Sequence, residues 1–175
     1  MTTEQTAGGA SGSINCNTET NEWIHQTVRS VDISFGLEMQ HPWSRHLLEG
    51  RKTIEVRNYT LPEPMIGQAI YIMETQQGTD NKSSLCDEIH LSCEPRCQII
   101  GRCTFADIKE YKSKKEFETD QARHLVSPTS GYAWKEGTTK ILYGWIVQEV
   151  HMDSSTKQFV KAVRRKRSLF QLYCS

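Results

Sequence analysis

Large apolar residues are almost absent from residues 1–22, where Ile14 is the sole large aliphatic side chain after Met1. Thr, Ser, Gly, Asn and Glu dominate there, and such a segment buries too little apolar surface to offset its ordering entropy. A disordered tail over 1–30 is therefore expected, with the core beginning near Val31. His41–Gly50 reads as a short helix: Pro42 suits its first turn, Trp43, Leu47 and Leu48 share one face, and Gly50 is a left-handed stop. Thr53–Arg57 alternates, placing Ile54 and Val56 on one face of a strand and Thr53, Glu55 and Arg57 on the other. Leu61-Pro62-Glu63-Pro64 breaks the pattern, and a second strand covers 69–73 after Gly67. Residues 76–96 are polar, with a Gly and a Pro, and read as a long loop. A strand follows over 97–105, and Ser113-x-x-Glu116 has the spacing of a capping box opening a helix toward Leu125. Residues 141–150 form the longest predicted strand, and 169–173 reads as a final edge strand or as unordered chain.

Strands outnumber helices, and helices interrupt them irregularly. This favours an α+β class, a small barrel-like domain with two or three peripheral helices, over a doubly wound sheet. The predicted organisation is the tail at 1–30, one domain over 31–153 with its long loop at 76–96, and a C-terminal extension over 154–175.

Composition changes little of this. Hydrophobic residues make up 37% of 175, about 43% with Gly, slightly under the ~45–50% of globular chains. No apolar run approaches the roughly 20 residues of a membrane span, and the first 14 residues lack the flank and apolar stretch of a signal peptide. Six cysteines in such a chain point to an intracellular, reducing compartment, cytoplasmic or nuclear, rather than to disulfides.

Charge changes more. The chain has 21 basic and 21 acidic residues, and zero net charge argues against a strongly electrostatic nucleic-acid binder. The zero is an average. Residues 31–153 hold 14 bases and 18 acids, whereas 154–175 hold six bases and no acid. Lys161-Ala162-Val163-Arg164-Arg165-Lys166-Arg167 reads as a nuclear address, a phosphate-backbone clamp, a protein-docking tail or a solubilising end. An acidic body with a local basic pocket suits recognition of one or a few nucleotides better than wrapping a duplex.

The densest candidate site is Gly50-Arg51-Lys52-Thr53-Ile54-Glu55-Val56-Arg57-Asn58-Tyr59. A helix ends, the chain turns, and a strand presents Glu55 and Arg57 on one face with Lys52 at its mouth. A guanidinium and a positioned carboxylate can grip a phosphate or a base edge. Lys52 or Glu55 could instead carry a proton in hydrolysis. The plain alternative is a solvated strand face whose ion pair is worth at most about 1 kcal/mol.

These residues resemble the ASCH domain family of the PUA-like superfamily. The match is Gly50-x-Lys52-x-x-Glu55-x-Arg57 after a helix bearing Pro42-Trp43 and Leu47-Leu48, and it extends from about Ser34 to about His151. The resemblance implies a small β-barrel with a cleft beside the motif that binds RNA, a nucleotide or a modified nucleoside. Trp43, Lys52, Glu55, Arg57, Asn58 and Tyr59 would line it. Lys52 and Arg57 would hold phosphate or a base edge, Glu55 would orient Arg57 or accept a base N–H, and Trp43 or Tyr59 would stack. Some family members hydrolyse N4-acetylcytidine and one is described as a ribonuclease, so the alternative is a hydrolase with Lys52 and Glu55 catalytic. In the amidohydrolases the motif Lys works with a Thr three residues later and with a distant Glu. Glu55 occupies the Thr position here, and Glu116, Glu118 and Asp120 are the candidates for the distant acid. A non-catalytic, coactivator-type protein-interaction domain is the third reading.

Two further groups stand out. Trp43, Tyr59, Tyr132 and Trp134 lie beside predicted turns, where rings can stack on bases or pack into the core. Cys86-x3-His90-x2-Cys93-x3-Cys97 supplies four zinc-type ligands within the predicted loop, although the spacing matches no standard zinc motif. The expectation is no cofactor, with structural zinc as the variant reading and isolated thiols preferred.

Overall fold

The computed structural model describes residues 33–76, 85–137, 139–152 and 158–174; the tail expected over 1–30 lies outside them. Eight strands among these residues form one mixed sheet: β1 (Ser34–Gln40), β2 (Ile54–Arg57), β3 (Ala69–Thr75), β4 (Glu88–His90), β5 (Cys97–Tyr111), β6 (Leu142–His151), β7 (Phe159–Lys166) and β8 (Leu169–Cys174). Three short helices accompany it: α1 (Trp43–Leu48), α2 (Lys114–Thr119) and α3 (Gln121–His124). The strand order is β2-β6-β5-β3-β1-β8-β7-β4. β1 and β3 run parallel and the other pairs antiparallel. The α+β expectation holds. The barrel does not: β2 and β4 end the ladder as separate edges, so among the described residues the sheet is open.

The motif segment folds as its pattern demands. Gly50 takes φ +73°, a left-handed conformation that Gly reaches without a Cβ penalty, and the chain turns out of α1 into β2. Lys52 N then donates to His46 O at 2.8 Å, closing the turn. β2 pairs with β6 in the register Glu55↔Trp145 and Val56↔Gly144. Gly144 is needed there, because a Cβ would sit 2.8 Å from Ile54 and 2.9 Å from the Tyr111 hydroxyl. Trp145 is fully buried, with Phe105 and Tyr59 packed edge-on at 5.4 Å.

Three expectations are corrected. First, residues 158–174, read as part of an extension outside the domain, supply β7 and β8, and β8 lies between β1 and β7 rather than at an edge. Phe159, Ala162, Phe170 and Leu172 are buried against Tyr71, Met73 and Ile89, and Leu169 is fully buried as well. Register shifts after Phe159 and after Arg164 break the period of two that would mark β7 as a strand. Second, the 76–96 loop contains β4, whose Ile89 faces the same core; three residues are too few to show alternation. Third, β1 has no predicted counterpart. It lies between β3 and β8, buried on both faces, and so does not alternate.

The predicted 113–125 helix divides into α2 and α3 at Asp120. Its capping expectation holds at Ser113, whose side chain accepts from Glu116 N at 3.2 Å. No helix among the described residues is long and apolar enough to cross a membrane.

Candidate functional site

A cleft of about 620 Å³ lies over β2. Trp43, Lys52, Glu55, Arg57, Asn58 and Tyr59 all line it, as the motif suggested, and Tyr132 and Trp134 join them from the chain between α3 and β6. The sequence reading missed its other wall. Glu38 comes from β1, Asp87 from the chain before β4, Arg164 from β7, and Arg167 and Ser168 from the β7–β8 turn.

The floor is a chain of charges rather than a solvated strand face. Lys52 is only 3% exposed and Glu55 6%. Lys52 Nζ donates to Ile54 O at 2.9 Å and to His124 O at 2.8 Å, and lies 3.3 Å from Glu55 Oε2. Three acceptors around one nitrogen match the three donors of an ammonium and leave no lone pair for base or nucleophile chemistry. Burial pushes the Lys52 pKa below the ordinary lysine value, with Glu55 pulling against it. The Trp43 ring centroid lies 5.9 Å from Nζ, within cation–π range.

Glu55 bridges to the next charge. Its Oε1 lies 2.7 Å from Arg57 Nε. Arg57 also donates from Nη1 to Ser168 Oγ at 2.9 Å and from Nη2 to Glu38 O at 3.2 Å. Burial opposes its charge most strongly, but Glu55, Tyr59, Tyr132 and Glu38 together outweigh it and hold the Arg57 pKa above its usual value. Tyr59 is buried too: its hydroxyl shares a 2.6 Å hydrogen bond with Ser168, and its carbonyl accepts from Trp145 Nε1. Tyr59 therefore fixes the Arg57 partner and does not offer a free face for stacking.

His124 holds the floor from below. Its ring stacks on Phe117 at 4.3 Å, Nε2 donates to Phe117 O at 2.8 Å, and Nδ1 accepts from Val126 N at 3.0 Å. Those contacts fix the neutral tautomer, and burial lowers the His124 pKa. The distant acids implied for an amidohydrolase are elsewhere. Glu116 accepts from Lys112 N, Glu118 pairs with Lys114, and Asp120 pairs with Lys109; none lines the cleft.

The wall opposite the motif is held by Arg164. It donates to Leu85 O at 2.7 Å, to Asp87 Oδ1 at 2.9 Å and to Glu38 Oε2 at 3.3 Å, and caps the Phe170 ring at 4.4 Å. Lys161 and Arg165, from the same basic run, are bound to Glu88 and to Gln171 and Tyr173. Much of the run that resembled a solvated address is thus pinned to the sheet.

Cys86, His90, Cys93 and Cys97 do not converge. Among the described residues no group of three or more His, Cys, Asp or Glu side chains is placed to hold a metal ion. His90 sits on β4 opposite Lys161, Cys97 opens β5 opposite Thr75, and Cys86 and Cys93 are exposed. Burial pushes the Cys97 thiol up to about 12, so it is a poor source of thiolate.

No curated protein matches this chain. Among solved structures, an ASCH protein from Zymomonas mobilis is similar at 14% identity and TM-score 0.46, covering 66% of this chain and 67% of that one. A single-substitution variant of that protein gives 16% identity and TM-score 0.45, with 66% and 69% covered. The family model described as the ASCH domain matches residues 37–166. That span takes in the motif, the cleft floor and β7, and the chain belongs to the ASCH domain family.

Proposed function

We propose that the cleft binds RNA through one or a few nucleotides, with a base seated over the Glu55–Arg57 floor. One observation carries this reading: flat aromatic rings and an excess of basic side chains line the same cleft. Lys52, Arg57, Lys135, Lys140, Arg164 and Arg167 face three acids there, Glu38, Glu55 and Asp87. Tyr132 is 39% exposed at the cleft, and Trp43 and Trp134 are half-buried beside it. The volume falls within the ~300–1,000 Å³ of small-ligand sites, enough for one or two nucleotides and too little for a duplex.

Like Tyr59, Lys52 takes a different role from the one the motif implied. Lys52 is a positioning residue: it sets the Glu55 carboxylate, which sets the Arg57 guanidinium. A carboxylate has about four lone-pair sites, so Glu55 retains acceptors for a base N–H after engaging Lys52 and Arg57. A hydrolase would need Lys52 to release one of its three acceptors: burial lowers its pKa, but Ile54 O, His124 O and Glu55 all hold the ammonium in place.

The test is a titration with single-stranded hexaribonucleotides, followed by tryptophan quenching and by anisotropy. Tyr132→Ala should weaken binding about 5- to 150-fold, the equivalent of about 1–3 kcal/mol for one stacked base, and leave Tm unchanged. Unaltered binding by this variant would contradict the reading.

A further inference from the structure

The cations around the cleft are not equivalent. Lys52 and Arg57 are bound to Glu55 and to carbonyl or hydroxyl oxygens, and Arg164 is held by Glu38, Asp87 and the Leu85 carbonyl. The Arg167 guanidinium differs. It lines the same cleft, is exposed, and has no hydrogen bond or ion pair to another side chain among the described residues. Lys135, next to Trp134 in the chain, lines the same cleft and is likewise exposed and unpaired among them.

Arg167 also has an unusual backbone. It opens the two-residue turn between β7 and β8 at φ +54°, in a left-handed region where Gly, Asn or Asp is the usual choice. Local strain of this kind persists where the surroundings enforce it and gathers at binding sites. Here it holds an arginine at the rim, one residue from Ser168, which fixes Arg57.

We propose that Arg167 forms a phosphate subsite at the rim, separate from the floor, and that the ligand is a phosphate-bearing single strand rather than a free nucleoside. The inference rests on the reading of the cleft as a nucleobase site. The floor is the wrong place for a phosphate: Glu55 and Glu38 are buried carboxylates that would repel it, and the nearby cations are already neutralised. An uncharged base suits that floor. A phosphate can stay partly hydrated at the rim, where the free cations are, and there each neutralised phosphate releases counterions.

The experiment uses the full chain and a fluorescein-labelled single-stranded RNA hexamer, with anisotropy measured from 50 to 300 mM NaCl. Arg167→Asn keeps a residue that accepts the left-handed conformation, so Tm should hold. It should weaken binding at least threefold at 50 mM and reduce the slope of log K against log salt by about 0.7, the single-strand value for one lost contact. Lys166→Asn removes the neighbouring exposed charge, which does not line the cleft, and should leave the slope unchanged. Competition by an unphosphorylated nucleoside should be the same for wild type and Arg167→Asn, and a hexadeoxynucleotide arm shows whether the sugar matters.

Equal slopes for Arg167→Asn and Lys166→Asn would overturn the phosphate assignment. If Tyr132→Ala removes binding while Arg167→Asn changes nothing, the phosphate subsite falls and the nucleobase reading stands. If neither substitution alters binding, both fall.

Discussion

The cleft floor and the β7–β8 turn each present arginine to the same space, and they use it in opposite ways. On the floor, Arg57 belongs to a buried chain with Glu55, Lys52, Ser168 and the Glu38 carbonyl. At the turn, the Arg167 guanidinium stands in solvent with no partner among the described residues, although the Arg167 carbonyl accepts from Arg164 Nη1. The same guanidinium is a fixed template in one place and a free charge in the other. Charge totals cannot distinguish them; the partners can. A buried ion pair is weak grounds for stability on its own, because desolvation offsets much of its attraction. Its value here is geometric: it holds a carboxylate and a guanidinium in one orientation under a cleft.

The contrast breaks first at Glu55. Glu55→Ala leaves the buried Lys52 and the half-buried Arg57 without their shared carboxylate, and stripping one partner from a buried pair costs about 3–5 kcal/mol. Urea denaturation should show a loss of that size; a loss below about 1 kcal/mol would mean that the floor is not locked. Arg167→Asn should by contrast leave stability unchanged while altering the salt dependence of binding.

A smaller effect follows from His124, whose carbonyl supports Lys52. Burial lowers its pKa from the usual 6.5 or so, opposed by its bond to Phe117. The unfolded chain therefore takes the proton first as pH falls. Wild-type stability is unaffected by this group above about pH 7 and declines below about 6.5, by at most about 1.4 kcal/mol per pH unit. His124→Gln should flatten the stability curve below about pH 6.5, measured by urea midpoints. Glu74 works in a different window. Burial raises its pKa, but its bonds to Arg45 and Ser44 outweigh that and hold it below the usual 4.5. Its contribution is present above that value and is lost only at more acid pH. Identical curves for wild type and His124→Gln would detach His124 from the floor's stability.

How much of this was legible divides along the same line. Residues 50–59 carry their own signals: Gly50 marks the turn, alternation marks β2, and the spacing of Lys52, Glu55 and Arg57 puts three charges within reach of one another. The six motif-side residues expected at a cleft all line one. The opposite wall had no such signal. Ser168 lies 111 positions from Arg57 and Arg164 lies 126 from Glu38, and no local pattern announces pairings at that range. The basic run concealed β7, because register shifts broke its alternation and its charges looked solvated when several were pinned to Glu88, Asp87, Glu38 and Gln171. Tyr59 looked like a stacking ring for a similar reason: its position beside a turn was legible, while its burial against Trp145 and Ser168 was not.

The claim at the centre is that one cleft binds a nucleotide between a fixed floor and a free rim. Backbone amide chemical shifts, followed while a single-stranded RNA hexamer is titrated into the protein, test it most directly. The account predicts that the largest shifts gather at Asn58, Tyr132 to Lys135, Arg167 and Ser168, with little change at Glu110 or Ser92, which do not line the cleft. Shifts centred on Glu110 or Ser92, with the cleft residues unmoved, would contradict it.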